Sequence, residues 1–174
     1  MLDYDIIKVF RPIILSGLAE VGISAEVLMN YQPTKQGITD NTVYFFPIGD
    51  KNVGSLTRQN VIVNGSLKSV EVQVKETTFQ INGVMRQNPN VLTITAKDLV
   101  SYVHIILQRR ETIKTLSDNG LGILWVGNIR NIPFQNGAEN WEYDPSFDFT
   151  ITHNMTISGE LPKIDNFNYN KQIV

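Results

Sequence analysis

The 174-residue chain has no cysteine. This excludes disulfide frameworks, thiolate zinc and iron–sulfur centres and cysteine nucleophiles together, and it fits a reducing compartment without requiring one. Histidine is scarce: only His104 and His153 occur, and H-E-x-x-H is absent. No ligand partner stands near either at metal-site spacing. An excess of positive charge is also missing. Fifteen Lys and Arg stand against seventeen Asp and Glu, for a net charge of −2, whereas a protein that coats nucleic acid needs a basic surface. Apolar runs, such as the one around 103–107, fall far short of the ~20 residues of a membrane span. The N-terminus, Met1-Leu2-Asp3-Tyr4-Asp5, is acidic where a secretory leader is basic. There is no G-x-x-x-x-G-K-[ST] phosphate loop. The lone G-x-G, Gly120-Leu121-Gly122, stands between a helical and a strand pattern, the reverse of a dinucleotide fingerprint.

What remains is 42% hydrophobic residues in a chain of single-domain length, enough to bury about 70% of its unfolded surface. In residues 3–21, Ile6, Ile7, Phe10, Ile13, Ile14 and Leu18 recur at spacings of three and four, which predicts a helix with Pro12 kinking or breaking it and Gly22 as its stop. Residues 26–31 and 42–48 read as strands, with Pro47 at an edge, an end or a bulge. Residues 61–63 enter a tight Asn64-Gly65 turn. Val70, Val72 and Val74 alternate with Glu71, Gln73 and Lys75, as in a strand with one wet face. That strand runs on to Ile81, where Asn82-Gly83 offers another turn. Residues 95–116 read as a second helix, capped by Thr95 and Asp98, buried along Leu99, Val103, Ile106, Ile113 and Leu116, and stopped at Asn119-Gly120. Residues 123–126 read as a buried strand and 147–158 as a long final one. Helix, strands, helix, strands, without repeated strand–helix–strand units, predicts an α+β fold: a mostly antiparallel sheet with two main helices packed on one face.

Candidate chemistry is thin. Asp98, Ser101 and His104 share a helix face but have no nucleophile elbow or oxyanion hole. His104, between Val103 and Ile105, reads as a partly buried imidazole and His153 as a face or interface residue. The acids Glu139, Glu142, Asp144 and Asp148 cluster beside Trp141 and Tyr143. They read either as a solvated loop or as carboxylates suited to glycoside hydrolysis or calcium, although no twelve-residue calcium loop fits their spacing.

A resemblance runs co-linearly through roughly residues 5–158. It is carried by Ile129-Arg130-Asn131-Ile132-Pro133-Phe134-Gln135-Asn136, by Trp141-Glu142-Tyr143-Asp144-Pro145-Ser146-Phe147-Asp148-Phe149 and by Thr150 to Asn154. Tyr31-Gln32-Pro33-Thr34-Lys35-Gln36-Gly37-Ile38, Phe79-Gln80-Ile81, Thr95-Ala96-Lys97-Asp98-Leu99 and Gly120-Leu121-Gly122-Ile123 follow in order. These segments resemble the tailed-bacteriophage neck and tail terminator proteins. Residues 51–57 match only loosely, and the stretch after Leu161 has no counterpart.

The resemblance implies a virion structural protein without enzymatic activity, cofactor or metal, made in the host cytoplasm. Its members form a homo-oligomeric ring, usually a hexamer. The ring caps the tail tube protein, stops its polymerisation and joins the tail to the neck or head-completion protein. DNA passes through the lumen without specific binding, and no membrane is involved. On this reading residues 1–161 form one terminator-like domain and 162–174 an extended tail or arm; either that tail or the 58–86 hairpin reaches a neighbour by strand addition. Arg130, Phe134, Trp141 and Phe147 are the candidate interface residues, since Arg and aromatics concentrate at interface centres. Equally, the three aromatics complete the core and Arg130 pairs with a local acid. The competing functional readings are another neck connector, such as a head–tail stopper or adaptor, and a small hydrolase using the acidic cluster 139–148.

Overall fold

The computed structural model describes residues 1–29, 41–85, 94–135 and 141–161; the 162–174 tail, the loop around Pro33 and Glu139 lie outside these. Helix α1, Asp3–Glu20, runs without a break through Pro12. Its first turn is held by Asp5, whose carboxylate accepts from the Leu2 N–H at 3.2 Å. It ends on Gly22 at φ +74, a left-handed stop that lets the Ile23 N–H reach the Leu18 carbonyl at 2.9 Å.

A short strand β1, Glu26–Met29, pairs in parallel with the start of β2, Thr42–Val63. The 42–48 and 61–63 segments are thus parts of one strand, bulged between Pro47 and Gly49 and between Val53 and Thr57. The expected turn forms at Asn64-Gly65, both at positive φ, the arrangement a two-residue hairpin needs. Strand β3, Ser66–Val84, returns antiparallel to β2 and keeps Asn82 and Gly83 in register with Tyr44 and Val43. No turn forms there. Gly83 instead lets helix α2 approach, since a Cβ on it would collide with the Val100 side chain.

The second helical segment is two helices, α2 at Ala96–Gln108 and α3 at Arg110–Asp118, separated by Arg109 in an extended conformation (ψ 145). The cap is as the sequence predicts: the Thr95 hydroxyl accepts from the Asp98 N–H at 3.2 Å and the Asp98 carboxylate accepts from the Thr95 N–H at 2.8 Å. The break at Arg109 rephases the apolar stripe. Thr112 and Leu116 face inward while Ile113 is exposed, and the Thr112 hydroxyl donates at 2.7 Å to the Ile106 carbonyl, which also accepts the Arg109 N–H.

Strand β4, Leu121–Val126, is more open than expected, with Leu124 and Trp125 exposed. Residues Arg130–Gln135, for which the sequence pattern predicted no strand, form strand β5. The last strand, β6, spans Trp141–Glu160. The sheet order is β1-β2-β3-β6-β4, with β5 following β4 along the same edge of β6. Every pairing except β1 with β2 is antiparallel, so the fold is the expected α+β arrangement. The core is a knot of Phe10, Phe45, Phe79, Phe147 and Phe149, with Phe149 5.4 Å from Phe10 and 5.6 Å from Phe79 between ring centres. Helices α1 and α2 close over it. Their approach depends on Gly17, where a Cβ would lie 2.8 Å from Ile106.

Candidate functional site

Successive residues of a strand point to opposite faces, and β6 shows two contrasting environments. Phe147, Phe149, Ile151 and His153 are buried toward the helices. Asp148, Thr150 and Thr152 lie half-buried on the opposite face, which is partly open at these residues and buried at its Asn82–Ser146 end. The side chains on this open face tie to one another. Thr78 and Thr150 share a 3.0 Å hydroxyl contact, and Gln80 donates to Asp148 at 3.3 Å. Asn82 donates to both oxygens of Asp144 at 2.9 and 3.0 Å. Arg130, at the start of β5, reaches Asp148 at 2.6 Å.

The four candidate interface residues therefore separate. Phe147 is fully enclosed in the core. Arg130 is half-exposed on the open face and ion-paired with Asp148. The backbones of Phe134 and Trp141 sit at the far end of the β5–β6 pair, opposite Glu142 and Gln135, and their side chains lie outside the described ones. Three exposed side chains on this edge were not among the candidate interface residues: Trp125 (54% exposed), Ile132 and Tyr143. Trp125 is locally anchored. Its ring covers Gly127, where a Cβ would come within 2.6 Å. The Gly127 N–H in turn donates to the Asp148 carbonyl at 2.7 Å. The nearby glycine was the available signal, because a bulky ring beside a residue without a side chain marks a close backbone approach.

Groups that could have supported catalysis are each engaged elsewhere. His104 donates from Nε2 to the Gly127 carbonyl at 3.0 Å and sets its ring edge-on to Phe147. Ser101 donates to the Lys97 carbonyl at 2.8 Å, and Asp98 caps its helix. Of the acidic cluster, Asp144 and Asp148 are hydrogen-bonded as above, and the Glu142 side chain lies outside those described. Among the described residues no group of three or more His, Asp or Glu could hold a metal ion. A cavity of about 940 Å³ opens between α1 and α3, lined by Pro12, Ile13, Gly17, Ile106, Thr112 and Thr115 among others. At its rim Glu20 and Arg109 are ion-paired.

His153 is buried at 4% exposure, not on an interface face, because β6 alternation carries it inward. It ends a hydrogen-bonded chain. Lys75 Nζ lies 2.7 Å from Asp50 Oδ2, the Thr77 hydroxyl donates to Asp50 Oδ1 at 2.7 Å, and Thr77 meets His153 Nε2 at 2.9 Å. With the single hydroxyl proton given to a carboxylate, Nε2 must carry its own proton, and the buried Nδ1 has no partner. Burial, with the N-terminal ammonium and then Lys75 nearby, pulls the His153 pKa below its ordinary value. The Lys75 and Thr77 hydrogen bonds lower that of Asp50.

No protein of curated function matches the chain in sequence. Among solved structures, the PVC sheath/tube terminator of an extracellular contractile injection system, in its extended state, superposes with a TM-score of 0.53 at 11% identity. The alignment covers 100% of this chain and 65% of that one, so the chain spans under two thirds of its length. At that identity the likeness establishes a shared fold. The family of the E217 gateway protein gp29 matches residues 5–163. That span takes in nearly all of α1, the whole of α2 and α3 and the described sheet, and the chain therefore belongs to the E217 gateway protein gp29 family, a family of phage tail and neck proteins.

Proposed function

We propose that the protein is a tail terminator: a ring of subunits, six on the family resemblance, that seats on the end of the tail tube, stops its growth and presents a surface to the neck protein. The observation that carries this reading is the family match over residues 5–163, joined to a fold shared with a sheath/tube terminator across the whole chain. The role is geometric, with no bond made or broken, and the engaged state of His104, Ser101, Asp98, Asp144 and Asp148 supports that. The protein resides in the virion, and DNA passes its lumen without specific contacts. A sheet face built of Thr78, Gln80, Thr150 and Thr152, with Arg130 neutralised by Asp148 and Lys51 by Glu76, offers phosphates little to hold. Arg130, with Phe134 and Trp141 on the same β5–β6 pair, lies at the edge that meets a neighbour, and Phe147 supports that edge from beneath.

The test is mass in solution, measured for the purified chain with and without tail-tube protein. A ring that forms on or with the tube, and arrests tube polymerisation in vitro, is expected. Tubes that keep lengthening in its presence overturn the reading.

A further inference from the structure

An asparagine followed by glycine carries a reaction within its own reach. Glycine has no Cβ to shield its amide nitrogen, and that nitrogen can close a five-membered ring onto the asparagine side-chain carbon. Asparagine is thermolabile in part for this reason. The pair occurs four times in the chain, at Asn64-Gly65, Asn82-Gly83, Asn119-Gly120 and Asn136-Gly137, the last outside the described residues. The fold holds the other three differently. Asn82 and Gly83 are buried within β3, paired to Tyr44 and Val43. The Asn82 side chain donates to Asp144, and the Gly83 backbone lies against Val100. Asn119 closes α3 with its side chain tied to the Thr115 carbonyl at 2.8 Å, and the Gly120 N–H donates to the Ser117 carbonyl at 3.0 Å. Ring closure at either pair breaks bonds that the fold makes.

Asn64-Gly65 has none of these restraints. Both residues are exposed. Among the described residues the Asn64 side chain and the Gly65 N–H have no hydrogen-bond partner, and no atom lies within 4 Å of where a Gly65 Cβ would stand. The pair closes a two-residue loop at the tip of a three-stranded arm. Residues 50–62 of β2, 66–76 of β3 and 154–160 of β6 stay paired, and none of them is buried. The alternating valines Val70, Val72 and Val74 stand on the face of Thr78 and Gln80, away from the core, so they do not anchor the arm to the helices. A tip with so few buried contacts opens locally at little cost, which frees the Asn64 backbone to rotate its side chain toward the Gly65 nitrogen.

We propose that Asn64, at the β2–β3 tip, is a site of spontaneous covalent modification, converted through a cyclic imide to aspartyl and isoaspartyl forms. Hydroxide takes the Gly65 amide proton, and the nitrogen attacks Asn64 Cγ. The new N–Cγ bond replaces the Cγ–Nδ2 bond, and ammonia leaves with a proton from water. Water then opens the ring. Attack at Cγ restores the peptide bond and leaves an aspartyl side chain; attack at the α-carbonyl carbon routes the main chain through Cβ and Cγ. The net change is one water consumed and one ammonia released, with no oxidation or reduction. Both products put a negative charge on an arm whose acids and bases are equal in number. The aspartyl form suits the positive φ of the turn almost as well as asparagine does. The isoaspartyl form adds a backbone methylene to a two-residue loop and disturbs the Val63–Ser66 pairing it closes.

The test holds the purified full chain at neutral and at mildly alkaline pH, beside the same chain unfolded in urea, and follows each peptide by mass and chromatographic position over time. In the folded chain, conversion at Asn64 is expected to outpace that at Asn82 and at Asn119 by at least ~10-fold, because both of those must first break native hydrogen bonds. The rate is expected to rise with pH, and the lead to vanish in urea. A smaller lead in the folded chain, or an unchanged Asn64 where the unfolded chain converts, overturns the proposal. Asn64→Gly removes the reacting side chain and leaves a residue suited to the positive φ; its tip peptide is expected to keep its mass, and a tip peptide that still changes overturns the assignment. The inference is independent of the terminator reading, since conversion at Asn64 in a chain that fails to arrest tube growth would leave it standing.

Discussion

Replacing Arg130 with Ala separates assembly from folding. In the folded chain the Arg130 side chain is 45% exposed and its partner Asp148 19%. An ion pair that open to water contributes roughly 0.2–1 kcal/mol. Asp148 keeps its hydrogen bond from Gln80 after the guanidinium is removed, so no carboxylate is stranded. The expected loss of folding stability is therefore at most ~1 kcal/mol, or a fall of roughly 2–4 °C in melting temperature for a chain of this size. If Arg130 sits at a subunit or tube contact, its truncation removes an interface anchor, for which ~2 kcal/mol or more, about 30-fold in affinity, is typical. Urea unfolding measures the first quantity, and sedimentation with tail-tube protein measures the second. Assembly that is unchanged while stability drops by more than ~2 kcal/mol would refute the reasoning and make Arg130 a purely intramolecular residue.

Phe149→Ala empties the centre of the phenylalanine knot and is expected to cost about 3–5 kcal/mol in urea unfolding; a loss below ~1 kcal/mol would mean the knot is not the core. Thr95→Ala removes the α2 cap, with an expected loss of ~1 kcal/mol, again read by urea unfolding. Stability should fall as pH drops below about 6.5, the ordinary histidine value, because the unfolded chain binds a proton at His153 that the folded chain resists. Asp50, whose pKa is lowered, adds a further loss in the carboxylate range, since its contribution is present at neutral pH and disappears on protonation. His153→Gln should flatten the first part of that slope and leave the second, as followed by melting temperature against pH.

Much of the fold was legible in the sequence where one physical rule acted alone. The α1 stripe with its Gly22 stop, the Thr95–Asp98 cap, the Asn64-Gly65 turn and the Asn119-Gly120 stop are local rules that tertiary structure did not override. Legibility failed where one pattern served two purposes. Asn82-Gly83 has turn chemistry, but Gly83 is there to admit Val100. A heptad-like stripe ran unbroken through Arg109, yet the backbone turns there and exchanges Ile113 for Thr112. No strand was expected at 130–135, and β5 accommodates Pro133 because it pairs only with β6, on the sheet edge. The valine alternation fixed which residues share a face but could not say which face meets the helices. At the candidate site, Arg130 pairing with a nearby acid was among the weighed readings. The exposure of Trp125 was not legible from its own strand, since Ile-Leu-Trp-Val looks the same whether a strand is buried or open on one side; only Gly127 beside it carried a signal.

The central claim is that this chain ends the tail by fit. Its most direct test is tail length in virus particles assembled without this chain. The expected result is overgrown tails that fail to join heads. Tails of normal length, joined to heads in its absence, would contradict the claim.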